Sequence, residues 1–135
     1  RRKVSAENLR NISNTVCYSS VATASDLEAP VIVAPSVSGF TTRMLSKWRP
    51  KALIAGLSPS MTAVRQMQLY WGVKPFHAKR AESTDALLFA SVELLKEKGI
   101  VKEGEIVVAT AGVVTRANRH EPVADTNIMR VMVVE

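Results

Sequence analysis

Val31-Ile32-Val33-Ala34-Pro35-Ser36-Val37-Ser38-Gly39-Phe40-Thr41-Thr42-Arg43-Met44-Leu45-Ser46-Lys47-Trp48 reads as strand, loop and helix. Four apolar residues in a row, without polar alternation, mark a strand buried on both faces. Ser36 to Gly39 supplies a loop. Thr41 to Trp48 then places Met44, Leu45 and Trp48 on one side of a helix that Arg49-Pro50 ends. A doubly covered strand feeding a helix is the building unit of a parallel sheet.

The unit recurs downstream. Ala52 to Leu57 is a second buried strand, Ser58-Pro59-Ser60 a turn and Met61 to Tyr70 a helix. Gly72 breaks that helix, and Val73 to His77 is a short third strand. Ser83-Thr84-Asp85 opens a long helix whose Leu87, Leu88, Val92, Leu94 and Leu95 point inward; Gly99 is its left-handed cap. Glu105 to Thr110 is the fourth strand, Thr115 to Asp125 the longest loop and Ile128 to Val134 a final strand. Upstream, Leu9, Ile12, Val16, Ala22 or Thr23, and Leu27 recur as one helix face would, ending before Pro30.

Alternating strands and helices predict a three-layer α/β fold: a mainly parallel five-stranded sheet with helices on both faces. The last strand has no helix before it, so it returns antiparallel to the fourth. One domain is expected over 1–135, with a leading helix in 1–28 and the α/β core in 29–135. Its final strand, at the sheet edge, needs a cover. A second copy of the chain, the first helix or the long loop would each provide one.

Composition narrows the function. Of 135 residues, 47% are hydrophobic, enough for a core, and no apolar run reaches membrane-spanning length. Arg1-Arg2-Lys3 leads into a polar amphipathic segment rather than a signal peptide, so a cytoplasmic location is expected. Cys17 is the lone cysteine, which excludes an intrachain disulfide and four-cysteine zinc sites. Lys and Arg outnumber Asp and Glu by 18 to 12, a net charge of +6 that attracts anions. The basic residues are scattered along the chain, and no nucleic-acid-binding motif accompanies them, so nucleic acid is disfavoured as a partner.

Ligands of open α/β sheets bind beyond the carboxyl ends of the strands. There, Ser36, Ser38, Thr41 and Thr42 surround Gly39. Gly39 permits close backbone approach, and free N–H groups at the helix start favour a phosphate. Arg43 follows one turn in. Helix capping by Ser38 or Thr41 explains the same residues, and spacing leaves both readings open. Ser58 to Thr62 lacks glycine and reads as a cap. Neither loop is a Walker A sequence, and no G-x-G-x-x-G is present. His77 and His120 have no metal-ligand spacing; His77 reads as a strand-end residue packed against a helix and Cys17 as a core residue. Asp85 suits a helix N-terminus. No residue set forms a catalytic or metal site.

The run from Ser36 to Ala52 resembles the pyruvate kinase stretch T-x-S-G-x-T-A-R-x-[IV]-S-K-[YF]-R-P. Ala63-Val64-Arg65-Gln66, Trp71-Gly72-Val73-x-Pro75, Ser83-Thr84-Asp85, Gly99-x-Val101-Lys102-x-Gly104, Val107-Val108-x-Thr110-Ala111-Gly112 and Thr126-Asn127-x-x-Arg130-Val131 follow in family order. The resemblance implies the family's C-terminal domain, which binds phosphorylated effectors, often sugar phosphates, and joins subunits. It maps an effector phosphate onto Ser36, Ser38, Gly39, Thr41 and Thr42. It implies assembly through the last strand and neighbouring helix, with Arg130 toward the partner copy. Phe40 departs from the polar or basic residue common there. The long loop carries Arg116, Arg119 and His120 where relatives have glycines. Those arginines are candidates for a second phosphate contact, or the loop is simply solvated.

The expected function is therefore regulation and subunit assembly in a pyruvate kinase, which turns phosphoenolpyruvate and ADP into pyruvate and ATP. The chain alone is expected to be non-catalytic and to need no cofactor. Mg²⁺ and K⁺ belong to the family's catalytic barrel, a partner domain. A start at Arg1 without an initiator methionine favours excision from such an enzyme. The alternative is a stand-alone phosphate- or sugar-phosphate-binding protein reusing the fold.

Overall fold

The computed structural model describes residues 6–112 and 126–135. The order is α1 (Ala6–Asp26), β1 (Val31–Pro35), α2 (Phe40–Lys47), β2 (Leu53–Ser58), α3 (Met61–Met67), β3 (Val73–His77), α4 (Thr84–Glu97), β4 (Ile106–Ala111) and β5 (Ile128–Val133). The sheet runs β3-β2-β1-β4-β5, parallel except for the antiparallel β4–β5 pair. The expected fold class is observed, including the reversed last strand.

β1 lies at the centre because its residues have no polar face to offer water. Val31, Val33 and Ala55 turn to one side and pack under α4 with Leu88, Val92, Leu95, Val107 and Ala109. Ile32, Ala34, Ile54 and Val108 turn to the other, beneath Cys17, Ala24, Met44 and Leu45 of α1 and α2. α3 joins this second layer, with its fully buried Met67 against Gly56 of β2. A Cβ on Gly56 would stand 2.6 Å from Met67 Sδ and 2.8 Å from Thr42 Cγ2, so the missing side chain sets how closely α2 and α3 approach the sheet.

Three sequence expectations change in the structure. α1 buries Leu9, Ser13, Cys17, Ser20 and Ala24, whereas Ile12 and Leu27 are exposed and Val16 is half-buried. After Leu9 the inward stripe is made of small residues, which lets the helix sit close to β4; Ile12, Val16 and Leu27 fall beside it. Trp48, expected in the core, is 47% exposed because it is the C-cap of α2, beyond the helix's last inward turn. α3 also stops at Met67, and turn residues fill the remaining positions to Tyr70.

α4 is built as its sequence suggests. Ser83 caps it by accepting from the Ala86 N–H. Leu88, Val92 and Leu95 are buried, with Leu87 and Leu94 half-buried. Gly99 ends it with φ +74°, which lets the Ile100 N–H reach the Leu95 carbonyl.

Burial on α1 pushes the Cys17 thiol from 9.0 up to about 11, opposed by a hydrogen bond with Thr126. The unfolded thiol ionises near 9 while the folded one keeps its proton, so this contribution to stability is full below pH 9 and declines toward pH 11. Urea titrations should show about 1 kcal/mol lost between pH 8 and 10, and Cys17→Ala should remove that part of the slope. An identical slope in the variant would assign the loss to other groups. Gly56→Val should lower stability by about 1–3 kcal/mol through overpacking, read as an earlier urea midpoint; an unchanged midpoint would mean that Met67 and Thr42 yield freely.

Candidate functional site

The strand order reverses between β1 and β4. From β1 the chain moves outward to β2 and β3, then α4 returns it to β4 on the opposite side. Such a switch point opens a crevice at the carboxyl ends of the strands. The Ser36–Gly39 loop leaves β1 at this place and leads into α2.

Gly39 is the N-cap of α2, with φ +85°, a left-handed conformation that favours glycine. A Cβ there would meet Met67 Cγ at 3.3 Å. Ser36 Oγ accepts from the Gly39 N–H at 2.9 Å, and Thr42 Oγ1 donates to the Gly39 carbonyl at 2.8 Å. Thr41 Oγ1 lies 2.6 Å from Thr126 Oγ1, and the Thr126 N–H donates to Ser13 Oγ of α1 at 3.0 Å. Ser36, Thr41, Thr42 and Thr126 are all buried. Three of the four candidate hydroxyls therefore hold the loop in shape. Ser38 alone is exposed, and its Oγ lies 3.4 Å from the Phe40 N–H.

No side chain caps α2, whereas α3 and α4 are capped by Ser60 and Ser83. The first intrahelical bond is Arg43 N–H to the Gly39 carbonyl, so the N–H groups of Thr41 and Thr42 precede the helical ladder. The arrangement offers backbone donors and a helix dipole to an anion, over a scaffold of internally bonded hydroxyls. Sequence reasoning named the loop residues but missed Thr126, which meets Thr41 from 85 positions away, and Ser13, which in turn holds the Thr126 N–H. Only a fold brings those together.

Other candidates fall outside this site. Ser58 and Ser60 cap and brace α3, as the turn sequence suggests: the Ser60 N–H donates to Ser58 Oγ and the Ala63 N–H to Ser60 Oγ. His77 is exposed, with Nε2 3.1 Å from the Pro59 carbonyl oxygen; it meets the β2–α3 turn rather than a helix face. Asp85, in the first turn of α4, pairs with Arg130 of β5 at 2.5 Å, so Arg130 has a partner within the chain. Arg116, Arg119 and His120 lie outside the described residues. Among the described residues, no cluster of His, Cys, Asp and Glu is placed to hold a metal, and no helix is long and apolar enough to cross a membrane.

β5 is an edge strand, and Val131 and Val133 on it are 45% and 59% exposed. The Val134 N–H donates to the Glu105 carbonyl, so even-numbered residues of β5 bond to β4. Met129, Val131 and Val133 consequently aim their backbone groups outward.

Comparison with known proteins agrees with this architecture. The family model for the pyruvate kinase α/β domain matches residues 14–132. Pyruvate kinase of Clostridium acetobutylicum is 36% identical over 126 residues, covering 93% of this chain and 26% of that protein. Pyruvate kinase of Geobacillus stearothermophilus is 36% identical over 131 residues and is matched over 21% of its length. A crystal structure of a pyruvate kinase from Cryptosporidium parvum superposes with a TM-score of 0.79 at 21% identity, over all of this chain and 24% of that one. The chain thus spans about a quarter or a fifth of these relatives' length. It belongs to the pyruvate kinase α/β domain family, the C-terminal domain of pyruvate kinases.

Proposed function

We propose that this chain is the regulatory and subunit-assembly domain of a pyruvate kinase and binds a phosphorylated effector at Ser36–Thr42. The observation that carries the reading is the start of α2, the one helix among α2 to α4 that lacks a side-chain cap. The Thr41 and Thr42 N–H groups, which precede the helical ladder, suit the oxygens of a phosphate. The parent reaction, phosphoenolpyruvate with ADP giving pyruvate and ATP, together with its Mg²⁺ and K⁺, belongs to the catalytic barrel that this domain serves as a partner. Arg116 and Arg119 are proposed for a second phosphate group of the effector, in a cytoplasmic enzyme.

Assembly uses the free edge of β5 and the neighbouring α1. Two copies pairing along β5 would bond the outward backbone groups of Met129, Val131 and Val133 and cover their side chains.

Calorimetry with a panel of sugar phosphates tests effector binding. Gly39→Val, which forces a β-branched residue into a left-handed conformation, should weaken binding at least about tenfold. Ser60→Ala, which removes the cap of α3, should cost about 1 kcal/mol of stability and leave binding intact. Equal affinity in wild type and Gly39→Val would place the ligand elsewhere. For assembly, Val131→Pro removes only an outward N–H and spares the β4 ladder. Light scattering should show a dimer become a folded monomer, and a dimer that persists would exclude this edge.

A further inference from the structure

Among the described residues, Met67 is the one large, fully buried side chain that belongs to neither apolar cluster of the sheet. It ends α3, and two glycines face it instead. A Cβ on Gly56 would stand 2.6 Å from Met67 Sδ and 3.4 Å from its Cε; a Cβ on Gly39 would stand 3.3 Å from its Cγ. The side chain is therefore wedged between the middle of β2 and the N-cap of α2. Gly56 has no positive φ, so close packing rather than backbone conformation accounts for the glycine there.

Gly39 is the pivot of the loop. Ser36 Oγ holds its N–H and Thr42 Oγ1 its carbonyl, which fixes its polar ends. Packing sets its remaining face, where Met67 and the edge of the Tyr70 ring, 3.8 Å from a Cβ on Gly39, lie against it. The Gly39 carbonyl then takes the Arg43 N–H and begins the ladder of α2. A shift at Gly39 would consequently turn the Thr41 and Thr42 N–H groups. β2 is tied to the same loop, because the Ser36 N–H donates to the Leu57 carbonyl at 2.8 Å. Thr42 Cγ2 also stands 2.8 Å from the Cβ that Gly56 lacks.

We infer that Met67 is a positioning residue for the effector loop: backed by Gly56, it fixes the Gly39 turn from within and so aims the Thr41 and Thr42 N–H groups. That role rests on the proposed effector site; the packing against Gly39 does not. A methionine that only filled the core would sit among the apolar side chains of one cluster, and its loss would be felt there. Met67 instead joins a strand to a loop, so its loss is felt at Gly39.

The test measures amide hydrogen exchange by NMR in wild type, Met67→Ala, Met67→Leu and Leu95→Ala. Each is then titrated with inorganic phosphate, read at the Thr41 and Thr42 amides. Leu95 is equally buried on the α4 side of the sheet and controls for lost stability. Met67→Ala should speed exchange at the Gly39 and Arg43 amides at least about fivefold relative to the Leu53 amide, whose bond to the Pro30 carbonyl lies at the other end of β2. It should also bind phosphate at least about threefold more weakly. Met67→Leu keeps an apolar Cγ against Gly39 and should stay within about twofold of wild type in both readings. Leu95→Ala should leave both unchanged. If Met67→Ala does not fold, Met67→Val, a smaller truncation, takes its place with the same expected direction. Unchanged relative exchange or unchanged phosphate affinity in a folded truncation, or an equal effect from Leu95→Ala, would overturn the role of Met67. No phosphate binding by wild type would overturn the effector site instead, and exchange alone would then decide whether Met67 sets the Gly39 turn.

Discussion

The burial of β1 on both faces organises the domain. Val31, Ile32, Val33 and Ala34 are fully removed from water, and each of the larger three contributes roughly 2 kcal/mol through burial. Their alternation sends Val31 and Val33 under α4 and Ile32 and Ala34 under α1 and α2, so one strand anchors both cores. Because β1 is also where the strand order reverses, the loop that leaves it opens into the crevice between β1 and β4.

That loop is held by its own polar groups. Ser36 and Thr42 close on the two backbone ends of Gly39, and Thr41 reaches Thr126 at the start of β5. Buried hydroxyls in such an arrangement are satisfied and therefore rigid. The backbone N–H groups at the head of α2 are thereby fixed in place, so the proposed effector would meet little ordering cost there. The same Thr126 is tied to Ser13 of α1, so the loop, the first helix and the entry to the edge strand form one connected unit.

The two ends of α2 have different chemistry. At its start the backbone is uncapped and the side chains are consumed within the protein; at its end cations and aromatic rings stand in solvent. Charge segregates across the sheet as well. The acid-free segment builds the β2–β3 side, while most acids follow Ala81, toward α4, β4 and β5.

Local residue patterns specify the elements and their connection. Unbroken apolar runs at Val31–Ala34 and Ile106–Ala109, and the caps at Ser83 and Gly99, are local patterns whose meaning depends on near neighbours. The missing helix before β5 fixed its reversed direction, and the hydroxyl-rich loop around Gly39 was legible as an anion-binding candidate. Tertiary structure alone decided what each side chain does there. Apolar periodicity favoured Ile12 of α1 and Leu27 just past its end, but close packing on β4 selected Ser13, Cys17 and Ser20, whose small size the spacing of large residues conceals. The pairing of Thr41 with Thr126, and of Trp48 with Tyr18, joins residues that no local pattern connects. Such contacts depend on how layers stack, and stacking is a property of the whole chain.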